Sequence, residues 1–229
     1  MNRPPPTGDL GLAEQFIVLT IDPVRQQPYI GDIHLPLPIA CCLMLDLAIR
    51  QRIWIDHRES GGFFHRGVIR VADPSPTGNV HLDMVIATMM GSPPKPAHSW
   101  IRRIDSYGPR VLADTRAHAL AAGHLVPGVS RQLGFTRPGW SVPPGSPIHH
   151  LAATVDRALA GGPQFASTTA LIAMFTEFGL LRLRFPRALR PVSSTRFHLF
   201  PALEEMATQV MSVLRSDSVL IRRLHNISD

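Results

Sequence analysis

The pattern of apolar and polar positions along the chain predicts a protein built mainly from helices. The segment IACCLMLDLAIRQR, residues 39–52, is apolar nearly all round, which is typical of a helix packed on most of its sides. Residues 12–22 are apolar at helical spacing, and so is the segment after Asn79, where the asparagine is well placed as an N-cap. We therefore expect residues 39–52 to form the central helix of the core.

One carboxylate, Asp46, lies within this most apolar helix. A buried carboxylate needs a partner, and Arg50 follows it by one helical turn. We expect Asp46 to bind a basic or a backbone partner. The alternative is that Asp46 serves as a general base in an apolar pocket.

The remaining pattern predicts further helices and two short strand pairs. The helices are expected at residues 97–105, 110–123, 148–161, 166–181 and 200–216. The runs IWID and GVIRVAD flank a Gly61-Gly62 turn, which is typical of a β-hairpin. Residues 124–144 are expected to form loops and a second strand pair. The fold class is thus mainly α, a compact single helical domain around a buried central helix, with small β-hairpins.

The two ends of the chain differ in their expected order. Residues 1–8 form a short polar leader that is too rich in proline to fold by itself. Residues 9–229 are expected to form the single domain, since a chain of 229 residues is long enough to bury one sizeable core.

The Thr77-Gly78-Asn79 turn raises the question of a phosphate-binding loop. A glycine-bearing turn at the start of a helix can bind an anion on free backbone N–H groups. However, a P-loop also needs a preceding buried strand and a GK[ST] ending, and neither is present at this turn. We therefore interpret it as a helix start.

Hydropathy and charge indicate where in the cell the protein lies and what kind of partner it binds. No apolar run reaches the roughly 18 residues typical of a membrane span, and no N-terminal signal pattern is present, so we expect a cytoplasmic protein that can also lie at the inner face of the membrane. The formal net charge of +6 suggests an acidic partner. Because Lys95 is the only lysine among 23 basic residues, the arginine excess is equally natural as the coding bias of a GC-rich genome.

Motifs for catalysis, metal binding and nucleic-acid binding are missing from the sequence. There is no HExxH, CxxC or GxSxG pattern, and the adjacent Cys41 and Cys42 have no sequence-local partner for thiolate activation. We therefore predict no metal site, no cofactor and no nucleic-acid partner, and we leave open whether the protein is an enzyme.

Several motifs occur together in an order that resembles a known family. These are LAEQFIVLTID, LDLAIRQRIWID, VADPSPTGNVHLDMVI followed by Pro-Pro and SWIRRI, ALAAGHL, and ASTTALIAMFTEFGLL. They resemble the Golgi phosphoprotein 3 family, which is also widespread in bacteria, over roughly residues 10–215, and we interpret the chain as a bacterial member. The resemblance implies a mainly helical peripheral membrane protein that binds a phosphoinositide-type headgroup as a non-enzymatic adaptor.

The headgroup pocket that the resemblance implies is mostly missing from this sequence. Its tryptophan, in the loop before the central helix, falls near Gly31, and an arginine at the first turn of that helix falls on Ala40. Two further arginines belong to the helix that ends at Gly123, where Arg110 and Arg116 lie nearby but out of register.

An anionic group could still be bound by arginines near this position. The candidates for a lipid or anion site are Arg102, Arg103, Arg110 and Arg116, through charge-assisted hydrogen bonds. The alternative for these side chains is a solvated surface. The alternative for the protein is a pocket repurposed to bind or convert a small metabolite in a biosynthetic pathway.

The tip of the first hairpin is a candidate contact surface. Phe63 and Phe64 lie beside Arg66 there, so the tip could insert into a membrane or pack in a subunit interface. Because the resemblance implies oligomer contacts through a hairpin in this region, we expect a homo-oligomer, and we leave a further protein partner open.

Overall fold

The computed structural model describes residues 10–57, 67–132, 135–186 and 201–216, and within them the fold is mainly helical. The helices are α1 (Leu12–Leu19), α2 (Pro36–Ile49), α3 (Val80–Met90), α4 (Ala97–Asp105), α5 (Gly108–Ala121), α6 (Pro147–Leu159), α7 (Ala166–Glu177), α8 (Leu181–Arg184) and α9 (Pro201–Ser216). A short 3-10 helix, Asp32–His34, precedes α2. The predicted fold class is confirmed.

Two antiparallel strand pairs complete the fold. Strand β1 (Ile53–Asp56) pairs with β2 (Val68–Val71), and β3 (Val126–Gln132) pairs with β4 (Phe135–Ser141). Both pairs lie where the sequence predicts them. The proposed contact residues at the first hairpin tip, Phe63, Phe64 and Arg66, lie outside the described residues, as does the leader.

Helix α2 is the centre of the core, as its apolar pattern predicts. All residues from Leu37 to Leu47 are buried, and α1, α4, α5, α7 and α9 contact the helix. The predicted bounds, residues 39–52, were wrong at both ends. The helix begins at Pro36 because proline is favoured in a first turn, where its missing N–H needs no partner. It ends at Ile49, and Gln51 then takes a left-handed φ of 57° that turns the chain into β1.

Asp46 joins α2 to the start of α1. Its Oδ1 accepts a hydrogen bond from Arg50 Nε at 2.7 Å, and its Oδ2 accepts one from the backbone N–H of Leu12, also at 2.7 Å. Asp46 is 5% exposed, so its bond to Leu12 is sheltered from water, whereas the bond to Arg50 is only partly buried. The prediction of a basic or backbone partner is confirmed, and the carboxylate serves as a cap that links residues 34 positions apart.

The region predicted as one helix at residues 166–181 is divided in two. Helix α7 ends at Glu177, and Gly179 follows with a φ of 67°, a conformation that glycine adopts without steric penalty. The chain then re-enters a helix as α8. The glycine is therefore a C-terminal stop for α7 and not an interior helix residue.

The turn before α3 is held by its own side chains. Asn79 Oδ1 accepts hydrogen bonds from the N–H groups of His81 and Leu82, and Asp83 accepts from the N–H and hydroxyl of Thr77. The first N–H groups of α3 thus already have intramolecular partners. The interpretation as a helix start with an asparagine cap is confirmed.

The second hairpin is fastened to the loop between α1 and the 3-10 helix through Gln26. The carbonyl of Gln26 accepts from Trp140 N at 2.9 Å, and its side-chain Oε1 accepts from Val129 N at 3.0 Å. Gln26 has a φ of 56°, and a Cβ on Gly128 would lie 2.5 Å from its Oε1. A side chain at residue 128 would therefore require the amide group of Gln26 to move away from Val129.

None of the described helices combines the length and the apolar character that a membrane crossing requires.

Candidate functional site

Helix α4 presents a polar face whose spacing brings charged groups together. Its buried face, Ala97, Trp100, Ile101 and Ile104, packs into the core. His98, Arg102 and Asp105 occur at spacings of four and three residues, so they lie on one side of the helix, away from the buried face. The face combines two basic side chains with one carboxylate.

This polar face forms one wall of a cleft with a volume of about 380 Å³. The volume lies within the range of roughly 300–1,000 Å³ that is common for small-molecule sites. The opposite walls are the start of α2, with the 3-10 helix before it, and the C-terminal end of α9. Apolar lining comes from Ile33, Pro36, Leu37 and Val213. The cleft therefore has charged groups on the α4 wall and a mixture of apolar and polar groups on the other walls.

The hydrogen-bond donors available in the cleft are one guanidinium and two imidazoles. Ser212 and Ser216 also line it, but both hydroxyls donate to carbonyls of α9 at 2.7 Å. Among the described residues, the ring of His34 and the guanidinium of Arg102 make no hydrogen bond or ion pair. His98 contacts only the hydroxyl of its neighbour Ser99, at 3.1 Å. These three side chains can therefore donate to an anionic ligand.

Arg116, a predicted anion-binding residue, is engaged with a partner in the same chain. Its two terminal nitrogens each donate to a carboxylate oxygen of Asp32 at 2.6 Å, and its guanidinium lies 5.9 Å from the centre of the Trp140 ring. Only 16% of its side chain is exposed. The bidentate pair joins α5 to the 3-10 helix and neutralises the charge of Arg116.

The other predicted arginines lie in three different surroundings. Arg102 lines the cleft, whereas Arg103, the next residue on α4, is exposed and lies outside the cleft lining. Arg110 is 74% exposed and lies 3.6 Å from Asp114 one turn later. The structure thus places one of the four candidates in the cleft, and it does not bring the four together.

The positions at which the family resemblance implies a tryptophan and an arginine carry residues that lack the side chains for headgroup binding. Gly31 has no side chain to supply an aromatic surface, and Ala40 is fully buried. Gly108, at the start of α5, packs so closely on α2 that an added Cβ would lie 2.4 Å from the Cα of Pro36. Neither Gly31 nor Ala40 lines the cleft, so the cleft is a different site.

Three exposed apolar side chains lie on the 3-10 helix, on the loop before it and on the second hairpin. Val24 is 86% exposed, Ile33 is 78% exposed and Val129 is 59% exposed. We call these three residues the apolar rim. Gln26, two residues after Val24, accepts a hydrogen bond from the backbone of Val129, so the loop and the hairpin that carry these side chains contact each other.

The buried thiols are poor candidates for nucleophilic catalysis. Burial raises the pKa of Cys41 and of Cys42 far above the ordinary value for a thiol, with nearby acidic groups acting in the same direction. Both side chains are fully buried in α2. In the described part of the chain, no group of three or more His, Cys, Asp or Glu side chains is placed to hold a metal ion.

Sequence reasoning missed His34 and His98 as candidate ligand groups. For His98 the signal was present, because the spacing from residue 98 to 102 to 105 marks a single helix face. For His34, and for the α9 wall, the local sequence carries no such signal, because the α9 wall comes from a part of the chain far from α4 in sequence.

Comparison with known proteins identifies the family of the chain. No curated protein matches it. A family model described as Golgi phosphoprotein 3 (GPP34) matches residues 12–215, a range that begins with α1 and reaches the last turn of α9. The chain therefore belongs to the Golgi phosphoprotein 3 family.

Proposed function

We propose that this protein is a peripheral membrane protein that binds the headgroups of anionic phospholipids and acts as a non-enzymatic adaptor. The observation that carries the proposal is the apolar rim, three exposed apolar side chains of which Val24 is followed directly by the exposed Arg25. Exposed apolar side chains can enter the boundary between headgroups and acyl chains while neighbouring arginines bind phosphate groups. Family membership and the net charge of +6 support the same function.

The apolar rim has the chemistry required for shallow insertion. Three large apolar side chains on the surface of a domain lose contact with water when they enter a membrane interface, and full burial of one such side chain contributes about 1.5–3 kcal/mol. Arg25, which is 83% exposed, directly follows Val24 and would lie at headgroup level beside it. Each arginine near an anionic surface contributes about 1 kcal/mol.

The same structure argues against stereospecific recognition of a phosphoinositide at the position that the resemblance implies. Arg116 is paired with Asp32, and Ala40 is buried where an arginine would be needed. Without a headgroup-shaped pocket there, binding should follow the total negative charge of the membrane and should weaken as salt screens that charge.

Sedimentation with liposomes tests this proposal. We expect the full chain to sediment with phosphatidylserine vesicles and with vesicles containing a monophosphorylated inositol lipid to a similar extent, and to remain in solution with phosphatidylcholine alone. High salt should release it. Absence of binding to every anionic vesicle at low salt would overturn the proposal.

A matched pair of variants tests the role of the apolar rim. The double substitution Val24→Ser, Val129→Ser removes two rim side chains that do not line the cleft. Val80→Ser changes a similarly exposed valine at the start of α3, away from the rim. We expect the double variant to lose most vesicle binding and Val80→Ser to bind like the wild type. Equal binding by all three proteins would show that the rim does not contact the membrane.

A further inference from the structure

We infer that the cleft between α4, α9 and the start of α2 binds a small amphiphilic phosphate ester, with the phosphate at Arg102, His34 and His98 and the apolar part of the ligand along the apolar lining of the cleft. This site is separate from the apolar rim except for Ile33, which borders both. The inference stands on the cleft alone and does not depend on membrane association.

The donor set fits a phosphate group better than a carboxylate. A guanidinium offers a planar pair of N–H groups, and each imidazole offers a further N–H from another direction. A phosphate monoester presents three terminal oxygens, whereas a carboxylate presents two. His34 lies on the 3-10 helix, whereas His98 and Arg102 lie on α4. Because the three donors come from two structural elements that line the same cleft, they can converge on a group with three acceptors.

The apolar lining of the cleft explains why the ligand should carry an apolar part. Ile33, Leu37 and Val213 border the cleft, and inorganic phosphate would leave these side chains in contact with water. An ester with a short hydrocarbon chain would cover them and remove their apolar surface from water, which is favourable in proportion to the area covered. The alkyl ester should therefore bind more tightly than inorganic phosphate.

The cleft contains one permanent cation among its described residues. The charged or titratable groups of the described chain that line it are His34 on the 3-10 helix and His98, Arg102 and Asp105 on α4, while α9 contributes hydroxyl and apolar groups there. A guanidinium stays charged at every pH at which the protein is folded. Binding of the phosphate should therefore depend most strongly on Arg102.

Titration of the full chain with hexyl phosphate, followed by calorimetry, tests the site. We expect Arg102→Gln to weaken binding at least about tenfold, since a charge-assisted hydrogen bond contributes more than a neutral one. Arg103→Gln is the matched control, because it removes the same charge from the neighbouring residue of α4 outside the cleft, and it should bind like the wild type. The double variant His34→Gln, His98→Gln removes the two imidazole donors and should also bind more weakly than the wild type.

The results separate the possible sources of the phosphate and can overturn the inference. Hexyl phosphate binding that depends on Arg102 indicates a soluble phosphate ester as the ligand. A second outcome is that hexyl phosphate does not bind, but the protein sediments with phosphatidic acid vesicles in a way that depends on Arg102 and not on Arg103. That outcome assigns the same phosphate chemistry to a lipid headgroup. If Arg102→Gln and Arg103→Gln behave alike in both assays, the cleft is not a phosphate site. That result would leave the rim variants, and hence the membrane proposal, untouched.

Discussion

Replacing Asp46 with alanine should destabilise the fold, because this carboxylate caps a backbone N–H group inside the core. The substitution removes the acceptor for the Leu12 N–H, and an unsatisfied buried donor costs about 1–3 kcal/mol. It also removes the bond to Arg50. Since the Arg50 side chain is 38% exposed and can be hydrated instead, this second loss is worth only about 1 kcal/mol. The expected decrease in the free energy of unfolding is therefore about 2–4 kcal/mol.

A second aspartate on a helix provides the control for this prediction. Asp114 lies in the middle of α5, is half exposed, and approaches Arg110 only to 3.6 Å. Alanine favours the helix at both positions, so Asp114→Ala carries the same propensity gain without the loss of a buried bond. Its free energy of unfolding should change by less than about 0.5 kcal/mol.

Urea denaturation followed by far-ultraviolet circular dichroism measures both variants. Asp46→Asn adds an intermediate case, because an amide oxygen can still accept from Leu12 while its NH₂ group faces Arg50. We expect the loss of stability to be largest for the alanine variant, smaller for the asparagine variant and absent in the wild type. If Asp46→Ala unfolds at the same urea concentration as Asp114→Ala, then Asp46 does not hold α1 to α2, and the proposed role of its carboxylate is refuted.

Two further predictions concern packing and thiol reactivity. Gly108→Ala should lower the free energy of unfolding by about 1–3 kcal/mol, because the new methyl group overlaps the backbone at Pro36. Gly91→Ala is the control and should change the free energy little, because its added Cβ makes only ordinary van der Waals contacts. Thermal denaturation compares the two variants, and equal melting temperatures would contradict the close packing at Gly108. Cys41 and Cys42 should resist Ellman's reagent in the folded protein, because burial keeps both thiols protonated and inaccessible. Both should react once urea unfolds the protein. Rapid labelling without denaturant would show that α2 opens to solvent.

Local sequence patterns predicted the elements well where the physical cause is itself local. The continuous apolar surface of residues 39–49 required burial on several sides, and Asn79 supplied its own cap. The errors arose where one residue type has two uses. Pro36 looked like part of a proline-rich loop but begins α2, and Gly179 looked like an interior residue but ends α7. Position within the helix decides between these uses, and the local sequence does not specify that position.

The candidate site was less predictable because its parts are distant along the chain. Asp32 and Arg116 are 84 residues apart, and nothing near either residue indicates that the carboxylate neutralises the guanidinium. The same holds for the cleft, which Arg102 and Val213 line from distant parts of the chain. Four arginines were reasonable candidates from sequence. Tertiary contacts alone show that Arg102 lines a cleft and that Arg116 is paired with Asp32 inside the same chain.

The contact between Gln26 and Gly128 constrains how this surface can change during evolution. Any side chain at residue 128 would displace the amide of Gln26 and leave the N–H of Val129 without its acceptor, so the two positions form a coupled pair. Among relatives that keep the same hairpin orientation, glycine at position 128 should therefore covary with a side chain at position 26 that can reach strand β3. Relatives that have lost one member of the pair should have lost the other, and their second hairpin should then be joined to this loop by the backbone bond between residues 140 and 26 without the side-chain bond to residue 129.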